Sequence, residues 1–236
     1  MLKCNYVISN YIDPYRNLAI EQFLMKNVRE ESFVLFLWQN DNTVVIGRNQ
    51  DPYKECLVDK LLNSEGYLAR RRSGGGAVYH DLGNLNFSIL THKRDRNNVS
   101  YQWLIGIALK QLGIDIEYNG RNDLICRGRK FSGNAIYEDE DRCCQHGTIL
   151  VSSNLLRMSS LLTPGKGKLD RNHVSSVDSR VMNLCEMSPN ITIKSVIEEL
   201  IAVCKGSLLE FDQDSSEVKR IMDFYIRDEW IYGGVR

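Results

Sequence analysis

The stretch Arg70-Arg71-Arg72-Ser73-Gly74-Gly75-Gly76-Ala77-Val78-Tyr79-His80-Asp81 constrains this chain more than any other. Three consecutive glycines disfavour a helix, and three cations immediately before them place positive charge beside a backbone with almost no side-chain cover. Such a loop suits an anion, because bare amide N–H groups can approach a phosphate or carboxylate while guanidinium forks add charge-assisted hydrogen bonds. A flexible hairpin turn beside a solvated basic patch is the competing reading. It is not a P-loop: GxxxxGK followed by Ser or Thr is absent, and Gly165-Lys166-Gly167-Lys168 does not match it.

The pattern on either side of the loop is mixed. Asp13 before Pro14 predicts a helix start, with Tyr15, Leu18, Ala19, Phe23 and Leu24 as its apolar face. Phe33–Trp38 and Thr43–Ile46 read as strands, and the polar Gln39-Asn40-Asp41-Asn42 between them predicts a hairpin. Lys54–Leu62 reads as a helix. Leu85, Phe87 and Ile89 alternate in Asn84–Leu90 as in a half-buried strand. Trp103, Ile107, Leu109 and Leu112 suit a helix, followed by β-like pieces at Ile114–Ile116, Leu124-Ile125, Phe131–Tyr137 and Thr148–Val151. Thr163–Asn172 is a polar loop, and helices return near Thr192–Cys204 and Ser215–Tyr225. With no repeat and no long linker, residues 1–236 are expected to form one α+β domain, a mixed β-sheet flanked by helices.

Charge and cysteine content narrow the function classes. Thirty Lys plus Arg balance thirty Asp plus Glu, so the overall field gives no reason to expect nucleic acid or membrane as partner. The longest apolar run, Phe33–Trp38, is far below the roughly 20 residues of a membrane span, and the N-terminus lacks the pattern of a secretory signal. Seven cysteines, an odd number without repeated CxxC spacing, read as reduced thiols of a cytoplasmic protein.

A second chemical segment is Gly120-Arg121-Asn122-Asp123-Leu124 followed by Arg129-Lys130-Phe131-Ser132-Gly133-Asn134-Ala135. A lysine among small residues can neutralise charge developing on acyl and phosphoryl oxygens, and Asp123 can hold magnesium or orient a polar group. A surface cation and a turn-capping aspartate are the plainer alternatives.

The series RRxSGGGAVYHDxGN, GRNDL, RKFSGNA, HGTIL and SSVDSRVMNL, in this order and preceded by Asp13-Pro14-Tyr15-Arg16-Asn17-Leu18-Ala19 and Val44-Val45-Ile46-Gly47-Arg48-Asn49-Gln50, resembles the lipoate-protein ligase A family up to about Leu184. The resemblance implies the biotin-ligase and lipoate-ligase fold, with ATP, magnesium and lipoate as reactants. The implied reaction makes lipoyl-AMP, then an amide on a lysine of a lipoyl carrier domain, such as a dehydrogenase acyltransferase subunit or a glycine-cleavage carrier.

By similarity, Arg71 and the backbone of Gly76, Ala77, Val78 and Tyr79 hold the nucleotide. Gly74 and Gly75 let the acyl group lie on the loop, and Arg70 lends charge. Lys130 contacts the acyl carboxyl and the phosphate, and Asn122 and Asp123 sit near phosphate and metal. His80 and His146 fall in the same motifs, with a structural role equally open.

Two departures from the family pattern stand out. The accessory domain that usually follows is expected to be absent, so that a separate polypeptide supplies it or only preformed acyl-adenylate is used. Asp178 stands where a basic residue is frequent. An octanoyl or lipoyl transferase working through a cysteine thioester, with Cys143-Cys144 close to His146, is one rival reading. A non-catalytic module that binds acyl-adenylate or carrier is another.

Overall fold

The computed structural model describes residues 2–119, 122–163 and 181–233. The chain runs β1 (Lys3–Ile8), α1 (Pro14–Asn27), β2 (Ser32–Trp38), β3 (Thr43–Ile46), α2 (Pro52–Glu55), α3 (Val58–Leu62), β4 (Tyr67–Arg70), β5 (Val78–His80) and β6 (Asn84–His92). It continues through α4 (Tyr101–Gln111), β7 (Glu117–Asn119), β8 (Asp123–Cys126), β9 (Arg129–Asp139), β10 (Arg142–Leu150) and α5 (Leu155–Leu161). The last elements are α6 (Ile193–Cys204), β11 (Ser207–Leu208), α7 (Ser216–Tyr225) and α8 (Asp228–Ile231). No helix among the described residues is long and apolar enough to cross a membrane.

Helix α1 begins where the sequence predicts. The Asp13 carboxylate accepts from the Arg16 amide at 2.8 Å, and Pro14 takes the first turn, where no amide bond is lost. The main sheet has strand order β11-β1-β2-β6-β10-β9-β8-β7, parallel from β11 to β2 and antiparallel from there on. Strand β2 is buried on both faces. Its Phe33, Leu35 and Leu37 pack with α4 and α6, while Val34, Phe36 and Trp38 pack with α1 and α7. Burying one such aromatic or aliphatic side chain is worth about 1.5–3 kcal/mol, so this seam supplies much of the driving force for the layered arrangement.

Four expectations are corrected. The predicted β2–β3 hairpin does not form, because β3 joins a separate sheet of order β4-β3-β5. The intervening turn is held inside the protein instead, with Asn17 Nδ2 donating to the Gln39 carbonyl and to Asn40 Oδ1. Strand β6 is fully buried and not half-exposed. Its Leu85, Phe87 and Ile89 enter the core, whereas Asn84, Asn86 and Ser88 face a polar interior in place of water. The Lys54–Leu62 helix is two helices, broken where Cys56 turns extended and Leu57 N–H bonds the Leu161 carbonyl at 2.9 Å. At Ile114–Ile116 there is no strand, and the chain leaves α4 through Gly113 at φ +77° before β7 starts at Glu117.

The small sheet has its own core. Val44, Ile46, Leu68 and Tyr79 pack on α3, α5 and α8 through Val58, Leu61, Met158, Leu161 and Ile231. The site lies where the two sheets meet.

Candidate active site

A cavity of about 310 Å³ opens between the sheets, within the range of small-molecule sites. Leu18 of α1, Trp38 of β2, Asn86 of β6 and His146 of β10 line it beside the glycine loop, and Asn122, Asp123 and Lys130 complete the wall. Two segments some fifty residues apart in sequence therefore meet at one cavity.

The glycine loop is held by Arg71. Its Nε donates to Ser73 Oγ at 2.9 Å, Nη1 to the Val45 carbonyl at 3.1 Å, and Nη2 to the carbonyls of Gly74 (2.7 Å) and Gly76 (2.8 Å). A guanidinium has five N–H groups, so one Nη1 hydrogen remains for a ligand. Burial pushes the Arg71 pKa down to about 10, opposed by the Glu21 carboxylate, and the group stays cationic at neutral pH. Gly75 has φ +93°, and a Cβ there would come within 2.9 Å of Arg71 Nη2, so this position requires glycine on both counts.

Behind Arg71 runs a buried chain of hydrogen bonds. Ser73 Oγ lies 2.7 Å from His146 Nε2, and His146 Nδ1 lies 2.8 Å from Glu21 Oε1. Ser88 Oγ donates to the same Glu21 oxygen at 2.6 Å and accepts from Trp38 Nε1 at 3.1 Å. The histidine and hydroxyl bonds to Glu21 hold its carboxyl below the usual range against the opposing effect of burial. Glu21, Cys144 and His146 also approach one another closely enough to share a metal ion. Their hydrogen bonds already satisfy the arrangement as a Glu–His–Ser relay. Ser73 is fully buried and does not line the cavity, which rules against a serine nucleophile.

At the mouth, Lys130 Nζ pairs with Asp123 Oδ1 at 2.8 Å, both side chains 39% exposed. Lys130 is set by an irregularity in the β8–β9 register after Leu124, and its carbonyl accepts from Met182 N–H at 2.9 Å. Its side chain lies back over Gly133, where an added Cβ would stand 3.0 Å from Nζ.

Of the residues singled out from the sequence, Arg71, Gly75, Gly76, Ala77, Val78, Asn122, Asp123 and Lys130 line the cavity. Gly74 and Tyr79 do not. Gly74 takes part through its carbonyl, and Tyr79 points into the small-sheet core with its hydroxyl toward Asn42. The expectation for Arg70 is corrected. Its guanidinium is fully buried and donates to the carbonyls of Gly47, Arg48, Gln50, Trp230 and Ile231, so each of its three nitrogens is engaged within the protein. Trp230 Nε1 returns a bond to the Arg70 carbonyl at 2.9 Å. Arg70 clasps α8 to the base of the loop. Arg72 is likewise structural, donating to Gln22 Oε1 at 3.0 Å with its guanidinium carbon 4.9 Å from the Phe224 ring centroid.

Cys144 is sealed in the interior, where burial and the nearby Glu21 carboxylate raise its thiol well above the ordinary range. A thiol so protonated is no nucleophile at neutral pH, which counts against the thioester route through this residue. Glu21, Ser73, Trp38 and Asn86 were not singled out from sequence. Gly120, Arg121, Lys166, Lys168 and Asp178 lie outside the described residues.

Residues 13–205 match the lipoyl protein ligase A/B catalytic domain, and the chain belongs to that family. It is 38% identical over 247 residues to a lipoate-protein ligase A of Bdellovibrio bacteriovorus, covering 99% of this chain and 73% of that protein. Against a lipoate-protein ligase A of Psychrobacter cryohalolentis the identity is 41%, with 85% of this chain and 59% of that protein covered. Among solved structures, P. falciparum LipL1 in complex with lipoate superposes with a TM-score of 0.80 at 28% identity, over 98% of this chain and 74% of that one. The ligase of a bi-partite system from Thermoplasma acidophilum shares the fold, with a TM-score of 0.86 at 24% identity and 100% and 98% of the two chains covered.

Proposed function

We propose that this chain is a lipoate-protein ligase catalytic domain that activates lipoate with ATP and transfers the lipoyl group to a lysine of a lipoyl carrier domain. The observation that carries this is the half-exposed Lys130–Asp123 pair at the mouth of a cavity walled by the glycine loop. In the first step a lipoate carboxylate oxygen bonds to the α-phosphorus of ATP as the bond to pyrophosphate breaks, giving lipoyl-AMP. Lys130 leaves Asp123 for the carboxylate and α-phosphate oxygens and offsets the charge that develops there. The remaining Arg71 N–H and the loop amides from Gly75 to Val78 orient the phosphate. In the second step a lysine amine of the carrier bonds to the activated carbonyl, AMP leaves, and the amine proton passes to solvent.

Magnesium fits this lip, since a cavity carboxylate beside nucleotide phosphates is the donor set it takes. Asp123 would hold it with the neighbouring Asn122 amide, and when bound it offsets phosphate charge. A reducing cytoplasm suits the seven free cysteines. Residues 1–236 act as one catalytic domain in this reading, with a lipoyl carrier domain as its partner.

The test is the intact mass of a lipoyl carrier domain after incubation with this chain, with lipoate and magnesium-ATP in one arm and presynthesised lipoyl-AMP in the other. One added lipoyl group in both arms is the full reaction. Addition from the adenylate alone assigns activation to a partner, and addition in neither removes the reading.

A further inference from the structure

The inner end of the cavity holds a polar atom that the protein itself leaves unused. His80 is 3% exposed and lines the cavity, and its Nε2 has no hydrogen-bond partner. Which ring nitrogen carries the proton follows from contacts running back to α1. Asn17 Nδ2 reaches the carbonyl oxygens of Tyr11 at 3.0 Å and Gln39 at 2.8 Å, so that atom is a donor. Its contact with Asn40 at 2.9 Å therefore falls on the Asn40 oxygen. The other Asn40 atom is the amide nitrogen, 3.1 Å from His80 Nδ1. An amide N–H only donates, so Nδ1 accepts and the proton of the neutral ring sits on Nε2. Burial, with Arg71 and His146 nearby, keeps the ring neutral by pushing its pKa down to about 3. One N–H of fixed polarity thus belongs to a ring that lines the cavity and has no protein acceptor.

Asn86 lies close by. It is the register partner of Trp38, whose ring centroid is 6.0 Å from that of His80. Asn84 and Asn86 share one bond at 2.9 Å, which leaves one amide atom of each unpartnered. That pair can turn over as a unit, so Asn86 adapts to whatever His80 binds. The Trp38 N–H is already engaged by Ser88.

A buried donor without an acceptor is costly, and a ligand atom is the means of completing it. We propose that His80 is a specificity-determining residue whose Nε2–H selects an acyl chain bearing a hydrogen-bond acceptor at its far end, such as the sulfurs of a dithiolane, over a hydrocarbon chain of the same shape. This rests on the reading of the cavity as a lipoate site. With the carboxylate held by Lys130 at the mouth, the tail is the part that reaches His80. The selection acts chiefly against the wrong ligand, which would leave the N–H dry and unpaired.

The test measures binding of lipoate and of its cyclopentyl analogue, in which both sulfurs are methylenes, by calorimetry with magnesium-ATP analogue present. The unmodified chain is expected to prefer lipoate by about tenfold, as one hydrogen bond supplies. His80→Phe binds both equally, and His80→Gln, which keeps an N–H, restores roughly threefold preference on the same basis. Thermal melting of each variant checks that it is folded. Equal affinities in the unmodified chain, as an ordered water between His80 and Asn86 would give, overturn the proposal and leave the lipoate reading standing. So does full preference retained by His80→Phe. Binding of neither acid by the unmodified chain removes the lipoate reading and the proposal together.

Discussion

The two ends of the cavity are built on opposite principles. At the inner wall, Arg71, Ser73, His146 and Glu21 are at most 8% exposed, and the bonds linking them run within the protein. At the lip, Lys130 and Asp123 are joined by one ion pair with about two-fifths of each side chain in water. A solvent-exposed pair is worth about 0–1 kcal/mol and can change partners with little loss. Breaking a buried pair by removing one member costs about 3–5 kcal/mol. Charges that must let go during a reaction stay wet here, and those that hold shape are dry.

Substitutions separate the two ends. Glu21→Ala is expected to reduce stability by about 3–5 kcal/mol, since it strands His146 and removes the carboxylate facing Arg71. Urea denaturation measures this, and a loss below about 1 kcal/mol would place the wall in the same class as the lip. Lys130→Ala should slow acyl transfer on the order of 10²–10³-fold, as for a lost transition-state donor, while changing stability by no more than about 0.5 kcal/mol. Timed mass spectrometry of the carrier reads the first quantity and denaturation the second. A large stability loss would make Lys130 a structural residue.

The inner wall also responds to acid. Folding depresses His80 from its ordinary 6.5 to about 3, so below pH 6.5 the unfolded chain binds a proton that the folded chain refuses. This contribution to stability is whole above pH 6.5 and is lost progressively as pH falls toward 3. Denaturation midpoints between pH 7.5 and 4.5 should therefore fall less steeply in His80→Gln than in the unmodified chain, and parallel slopes would contradict the assignment. The smallest effect lies outside both ends. Asp13→Ala should cost about 1 kcal/mol through the lost α1 cap, with activity per folded molecule unchanged in the same carrier assay.

How much was legible in the sequence follows the range of the forces involved. The α1 start, β2 and the Lys130 segment are local signals, and all appear as expected. The glycine loop and Asn122-Asp123 are recognisable by their chemistry. The β2–β3 hairpin failed because β3 pairs with β4 and β5, a choice made by Asn17 and His80 gripping Asn40 from elsewhere in the chain. Arg70 looked like a free cation because its acceptors at Trp230 and Ile231 lie 160 and 161 residues away. Glu21 left a fainter trace. Asn17 and Glu21 are polar residues four apart on the helical face that carries Leu18, and their burial there marks that face as more than a packing stripe.

The Arg70 clasp has a consequence for the order in which the protein is made. At roughly 5–20 residues per second, a ribosome that has just added Arg70 needs about 10–30 s to reach Ile231. Throughout that interval the root of the glycine loop lacks the Trp230 and Ile231 carbonyls, two of the five that will anchor Arg70. A growing chain can thus carry every cavity residue named above and still hold the loop only loosely, and competence arrives late in translation.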